Sequence, residues 1–162
     1  MSFKILVMGL SGSGKTTLAK QLVNKLKAKH LNADAIRDEY NDWDFSTEGR
    51  IRQAERLSKL ASESDSDYVV IDFICPLEQG RKIINADYTI WMDTVDSSKY
   101  KDTDNIFEKP DAEDVHSLES LTYNVNNIML QIIRIMYGNL RYLSNTSRAY
   151  HSYARLVYEQ AS

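Results

Sequence analysis

Apolar residues recur along this chain with two different periods, and those periods outline its elements. Phe3-Lys4-Ile5-Leu6-Val7-Met8 and Tyr68-Val69-Val70-Ile71-Asp72-Phe73-Ile74 are short runs that are apolar on both faces, as strands in the middle of a parallel sheet are. Tyr88 to Asp93 predicts another strand, while His30-Leu31-Asn32-Ala33, closing on Asp34, and residues 114–118 predict two short ones. Between the strands the spacing changes to three or four. Leu18, Leu22 and Leu26 predict a helix over 15–29, and Ile51, Ala54, Leu57 and Leu60 predict one over 50–62 with Ser46 as its N-cap. Residues 35–40 and 77–84 predict two shorter helices. Leu121, Val125, Ile128, Ile132 and Ile135 predict a helix over 121–137 that stops near Gly138, and 139–160 predict a further helical stretch rich in tyrosine.

Strands alternating with helices predict a three-layer α/β/α fold around a mostly parallel sheet of about five strands. Residues 97–114 are polar, contain Pro110 and have few apolar anchors, Ile106 and Phe107 among them. They predict a mobile lid or substrate loop. The expected organisation is one domain over 1–138, with 139–162 as a C-terminal helical extension packed on it.

Composition narrows the class. With 43% hydrophobic and 27% charged residues over 162 positions, the chain reads as an ordinary globular protein. No apolar run approaches the ~18 residues of a membrane span. The first strand begins at Phe3, and Cys75 is the lone cysteine, so the expectation is a cytoplasmic protein without disulfides. The net charge of −3 is uneven: residues 120–162 carry +3 and the first 119 carry −6. An overall basic footprint for nucleic acid is missing. The tail arginines Arg134, Arg141, Arg148 and Arg155 read as a solvated face, and its tyrosines as packing or homodimer contacts.

The strongest chemical signal follows the first strand. Gly9-Leu10-Ser11-Gly12-Ser13-Gly14-Lys15-Thr16, then Thr17, fits the phosphate-binding loop pattern, with a strand before it and a helix after it. Glycines let backbone N–H groups approach phosphate oxygens with no side chain between, and the helix N-terminus favours an anion. Lys15 is suited to the β- and γ-phosphates and Thr16 to Mg²⁺. The pattern predicts a P-loop NTPase fold that binds ATP or GTP.

A phosphate loop names the donor and leaves the acceptor open. Asp34 ends the second predicted strand, where a carboxylate can orient an acceptor hydroxyl, take its proton or hold water on Mg²⁺. Arg37 shares a helical face with it and suits an anionic substrate. The competing reading makes Asp34 a helix N-cap with Arg37 as its surface partner. Asp72, ending an apolar strand, reads either as a Mg²⁺ acid or as a structural carboxylate. Cys75 reads as packing, and His30, His116 and His151 lack metal-ligand spacing.

Leu31-Asn32-Ala33-Asp34-Ala35-Ile36-Arg37 is similar to the Leu-Asp-Gly-Asp-x-x-Arg segment of adenylylsulfate kinases. Asn41, Phe45-Ser46, Arg50 and Arg56 continue the likeness, Ile74-Cys75-Pro76 resembles that family's Ile-Ser-Pro, and Asp93-Thr94 its Val-Asp-Thr. The likeness covers about residues 4–137 and is greatest to the short forms of tailed phages. The resemblance implies transfer of the ATP γ-phosphate to the 3′-hydroxyl of adenylylsulfate, a step of sulfate assimilation. It makes Asp34 the catalytic carboxylate beside Lys15. It assigns Arg37, Asn41, Arg50, Gln53 and Ile74 to the substrate, with Phe45 stacked on adenine and Phe107 as a second aromatic. The chain departs from the family at Asn32, Ala33, Gly49, Gln53, Asp72 and Cys75, and its lid keeps only Lys99, Lys101 and Lys109. The Asp34/Arg37 pair also resembles polynucleotide 5′-hydroxyl kinases and other small-molecule kinases. A nucleotide-binding module without catalysis is the remaining alternative.

Overall fold

Strand β1 (Phe3–Met8) lies at the centre of the sheet, and the rest of the chain is arranged outward from it. The computed structural model describes residues 1–140. Five strands, β1, β2 (Lys29–Asn32), β3 (Tyr68–Asp72), β4 (Tyr88–Met92) and β5 (His116–Leu118), run in the order β2-β3-β1-β4-β5. All four strand pairs are parallel. From β1 the chain goes to one side for β2 and β3, then crosses to the other for β4 and β5. The crevice at the carboxyl end of β1 is therefore the switch point where such sheets bind ligands.

Helices cover both faces. Helix α1 (Lys15–Leu26) packs on β1, β2 and β3 through Leu18 and Leu22. On the opposite face, Leu6, Met8, Leu31, Val69 and Ile71 join Ile36 of α2 (Ala33–Glu39), Leu57 of α3 (Thr47–Ser62) and Ile84 of α4 (Glu78–Ile84) in one buried cluster. Side chains alternate across a strand, so β1 sends Ile5 and Val7 to one layer and Leu6 and Met8 to the other. The three-layer α/β/α architecture expected from the strand–helix alternation is what forms.

The differences from the sequence reading have local causes. Helix α1 stops three residues early because Lys27 turns left-handed (φ 54°), which releases Lys29 and His30 to begin β2. Strand β2 ends at Asn32, and Ala33 is already helical. Helix α3 begins at Thr47, with Ser46 as its N-cap as expected: the Ser46 hydroxyl accepts from Gly49 N at 3.1 Å. Its inward face is Arg50, Gln53, Ala54, Leu57 and Ala61, while Ile51 and Leu60 are only half-buried. Two polar side chains turn inward because each has a partner there, described below. The 97–114 stretch is better anchored than its composition suggests. It contains a short helix, α5 (Lys101–Ile106), and Phe107 stacks on Trp91.

The chain divides into two compact units, 1–123 and from Asn124 onward. In the second, α6 (Val125–Leu140) buries Ile128, Met129, Ile132 and Ile133 and runs through Gly138. A single glycine costs a helix only about 1 kcal/mol, too little to force a stop. Leu121 lies outside this helix, in the first unit. The helical stretch expected beyond residue 140, with its tyrosines and arginines, lies outside the described residues.

Candidate functional site

The phosphate loop leaves β1 and is shaped by its glycines. Gly9, Gly12 and Gly14 take φ of 142°, 83° and 94°, and Gly14 is the left-handed N-cap of α1. A Cβ on Gly9 would lie 2.6 Å from the Met92 carbonyl, so any side chain there would force the loop off β4. The loop is pinned on both sides: Gly9 N donates to Ile74 O at 3.4 Å, and Thr94 Oγ1 donates to Ser13 O at 2.7 Å. Ser11 is half-buried, Thr16 and Thr17 are exposed at the start of α1, and Ser13 Oγ is buried with no hydrogen-bond partner. A tight loop of glycines with an orphaned buried hydroxyl fits a phosphate chain, whose oxygens would meet the free N–H groups.

Lys15 Nζ donates to Leu10 O at 3.0 Å. Burial pushes its ammonium below the ordinary lysine value, while the charges of Asp72 and Asp34 pull it back. Lys15 is thus electrostatically coupled to both acids that the sequence singles out.

Sheet register brings Asn32 and Asp72 side by side at the carboxyl edge. The Asn32 amide is used at both ends: Oδ1 accepts from Ala35 N at 3.0 Å, capping α2, and Nδ2 donates to Asp72 Oδ2 at 2.8 Å. Burial alone would raise the Asp72 carboxyl, but His30, Thr16, Asn32 and the Lys15 charge together hold it below the usual range. His30 Nε2 stands 3.6 Å from Asp72 Oδ2. Asp72 is therefore a buried carboxylate kept ionised. With the Thr16 hydroxyl it makes a hard-oxygen pair that fits Mg²⁺ on a nucleotide, a metal held by one or two protein oxygens plus phosphates. Among the described residues no cluster of three or more His, Cys, Asp or Glu could hold a metal unaided.

The capping alternative for Asp34 does not hold, because Asn32 is the cap. Asp34 sits exposed in the first turn of α2. Arg37, on the same helix, is 2% exposed. Its Nη1 donates to the carbonyls of Asp42 and Asp44, each at 3.0 Å, and its guanidinium lies 4.7 Å from the Phe45 ring centroid. Burial lowers its pKa, the Asp42 carboxylate raises it, and the nearby Arg50 cation lowers it again. Arg50 is also near Phe45, at 5.6 Å, and donates Nε to Phe45 O at 2.8 Å. Its Nη2 reaches Asp102 Oδ2 at 3.1 Å and Thr103 Oγ1 at 3.0 Å, which ties α5 to the start of α3.

Other predicted residues take quieter positions. Gln53 is buried, donating to Ala33 O at 2.9 Å and accepting from Arg56 at 2.6 Å, so it steadies the β2–α2 junction next to Asp34. Asn41 is exposed and left-handed (φ 48°) at the end of α2. Ile74 is half-buried beside the loop and accepts from Gly9. Phe107 is half-buried and faces Trp91, while the following residue, Glu108, accepts from Glu78 N at 2.5 Å. Cys75 is buried with φ 49°, and burial pushes its thiol up to about 12, which leaves no thiolate nucleophile at neutral pH. Asn32, His30, Thr94, Asp102 and Thr103 carry roles the sequence reading did not assign. Only Asn32 had a local signal, an Asn three residues before a free helical N–H.

Fold and loop together define the class, an α/β protein with the P-loop kinase fold, its nucleotide-phosphate site at the sheet's switch point. The adenylylsulphate kinase family model matches residues 1–123, and the chain belongs to that family. It is 33% identical over 95 residues to a probable adenylyl-sulfate kinase of Pseudomonas aeruginosa, covering 54% of this chain and 44% of that protein. It is 37% identical over 62 residues to a cytidine diphosphoramidate kinase of Campylobacter jejuni, covering 35% and 36%. The matches thus span less than half the length of either curated relative. Among solved structures, the Mycobacterium tuberculosis APS kinase in complex with AMPPNP and APS shares the fold at a TM-score of 0.62 and 20% identity, covering 84% of this chain and 98% of that one. No helix among the described residues is long and apolar enough to cross a membrane.

Proposed function

We propose that the protein is an ATP-dependent kinase that transfers the γ-phosphate to a hydroxyl of a small anionic nucleotide, with the 3′-hydroxyl of adenylylsulfate as the acceptor. The observation that carries this reading is the strand register that sets Asp72 beside Asn32, the cap of α2, at the carboxyl edge of the sheet that carries the phosphate loop, with Asp34 exposed in the first turn of that helix. The family membership of residues 1–123 supports the same acceptor.

In this mechanism the loop N–H groups and Lys15 bind the phosphates, and Asp34 orients the acceptor hydroxyl and takes its proton. The hydroxyl oxygen forms a bond to the γ-phosphorus as the bond to the β-phosphate oxygen breaks, releasing ADP. Thr16 and Asp72 would hold Mg²⁺, which supplies charge neutralisation on the transferring phosphates. Arg37 and Arg50 attract the acceptor's anionic part, and Phe45 stacks on its base. The cytidine diphosphoramidate kinase relative favours a second reading with the same mechanism and that acceptor.

The test is ADP release in the presence of adenylylsulfate, cytidine diphosphoramidate, a 5′-hydroxyl oligonucleotide or no acceptor. Turnover with adenylylsulfate is expected. Turnover with only the oligonucleotide, or tight ATP binding with none, would overturn the reading. Asp34→Asn should lower kcat about 10²- to 10⁴-fold, the usual worth of a positioned base, with ATP affinity nearly intact. An unchanged rate would remove Asp34 from the chemistry.

A further inference from the structure

Resting on the ATP-binding half of the kinase reading above, we propose that Thr94 is a positioning residue: its hydroxyl sets the direction of the Gly14 N–H and so prepares the loop for a nucleotide's phosphates. Thr94 lies two residues beyond β4, and its Oγ1 donates to Ser13 O at 2.7 Å across a separation of 81 residues. The sheet presents that hydroxyl from a fixed point, because Asp93 N donates to Leu118 O of β5 at 2.9 Å. On the loop side, Ser13 N donates to Leu10 O at 3.2 Å. Both backbone polar groups of Ser13 are therefore tied to protein partners, and the residue is fully buried.

Peptide geometry turns that tie into a direction. A trans peptide is planar, so the carbonyl of Ser13 and the N–H of Gly14 point opposite ways. Holding Ser13 O toward Thr94 aims the Gly14 N–H away from Thr94. Among the described residues no protein acceptor takes that N–H. Gly14 is also the N-cap of α1, so its N–H joins the open donors at the positive end of the helix. The pin is needed because this residue is glycine. Gly14 sits at φ 94°, and glycine takes either sign of φ at little cost. Rotation about ψ of Ser13 and φ of Gly14 would flip the peptide and put a carbonyl oxygen where the donor was, against an anion. The Thr94 hydroxyl holds the productive orientation before a nucleotide arrives, which removes an ordering cost from binding.

The test is calorimetric titration of wild type, Thr94→Val and Thr94→Ser with ADP and with inorganic tripolyphosphate, a ligand that is all phosphate, without divalent ion. Thr94→Val keeps the shape of the side chain and loses the donor. It should weaken both ligands about 10- to 100-fold, the worth of a hydrogen bond to a charged oxygen. Thr94→Ser keeps the hydroxyl and should bind both nearly as wild type does. In steady state Thr94→Val should raise the KM for ATP and leave that for adenylylsulfate nearly constant. In the native chain the Gly14 amide proton should move downfield when ADP binds. A bond that served folding alone would shift the thermal melt of Thr94→Val and leave its phosphate affinity as it was. Equal affinities of wild type and Thr94→Val, or a loss that Thr94→Ser does not restore, would overturn the proposal. So would a Gly14 amide that stays in place on ADP binding, a result that decides even if Thr94→Val fails to fold. The expected affinity losses without turnover on any acceptor would uphold Thr94 and sink the kinase reading, so the two fail separately.

Discussion

Replacing Asn32 by aspartate changes one atom group and isolates the side-chain contact between β2 and β3. In the native protein Nδ2 donates to Asp72 Oδ2 at 2.8 Å, and Oδ1 is committed to capping α2. The cap fixes the orientation of the amide, so Asn32→Asp keeps the acceptor for Ala35 N and puts a second carboxylate oxygen against Asp72. Two full charges at ~3 Å repel by about 5.5 kcal/mol at an effective dielectric constant of about 20. Keeping a proton at pH 7 on a carboxyl of ordinary value about 3.9 costs only about 4 kcal/mol, at 1.36 kcal/mol per unit. Protonation is the cheaper solution. The pair shares one proton, and the shared O–H replaces the lost N–H donor.

The sign of the pH dependence follows. The upper pKa of the folded pair is raised above its unfolded value, so folding takes up a proton and the penalty grows with pH. It should be about 4 kcal/mol at pH 7 and about 1.5 kcal/mol at pH 5. For a chain of this size that is a Tm lowered by roughly 8–16 °C at pH 7 and about 3–6 °C at pH 5. The native protein behaves oppositely: the depressed Asp72 contributes stability present above about pH 4 and lost as the pH falls below it. Paired thermal melts of wild type and Asn32→Asp at the two pH values, without nucleotide or divalent ion, test this. A Tm difference that is flat with pH, or larger at pH 5, would refute the shared-proton account. The double exchange Asn32→Asp/Asp72→Asn should remove the pH-dependent part.

Three further outcomes are expected. Gly49→Ala improves helix propensity by about 1 kcal/mol, but its Cβ would lie 2.3 Å from the Asp44 carbonyl; the clash wins, so chemical denaturation should show a loss of about 1–3 kcal/mol, and a gain would contradict the packing. Ser46→Ala removes the α3 cap and should cost about 1 kcal/mol in the same assay, whereas no change would mean the 3.1 Å bond to Gly49 N contributes nothing net. Cys75, buried with its thiol raised to about 12, should react with a thiol-specific disulfide reagent at pH 8 no faster than the chain opens, and rapid stoichiometric labelling of the native state would show the site is accessible.

What the sequence revealed and what it hid divides along physical lines. The phosphate loop was legible because its chemistry tolerates few substitutions: glycine is needed where φ is positive and a carbonyl sits 2.6 Å from the missing Cβ, as at Gly9. β1 and β3 were legible because a central parallel strand is apolar on both faces. The face of α3 was misjudged because a helical pattern counts Arg50 and Gln53 as outward, and only long-range partners turn them in. Those partners lie at Thr103, 53 residues on, and at Ala33, 20 residues back. The role of Asn32 was half legible. Its cap is local, but its hydrogen bond to Asp72 depends on strand register, which no window of neighbouring residues contains. The 97–114 segment was read as loose because polar residues were counted as solvated, whereas Thr103 and the Phe107 ring are satisfied by α3 and β4.

The tie from Arg50 to Asp102 and Thr103 also bears on the order in which the chain folds. It closes a span of 52 residues that contains β3, α4 and β4, so forming it ahead of those strands would cost loop-closure entropy with no sheet contacts to offset it. Helix α5 has six residues, far fewer than the ~12–15 at which an isolated helix is even marginal in water. It is therefore expected to depend on its contacts with α3 and to open more readily than the central strands. Amide exchange in 101–106 should proceed through small openings that release the Arg50 contacts, while the amides of β1 and β3 wait for the whole first unit to unfold.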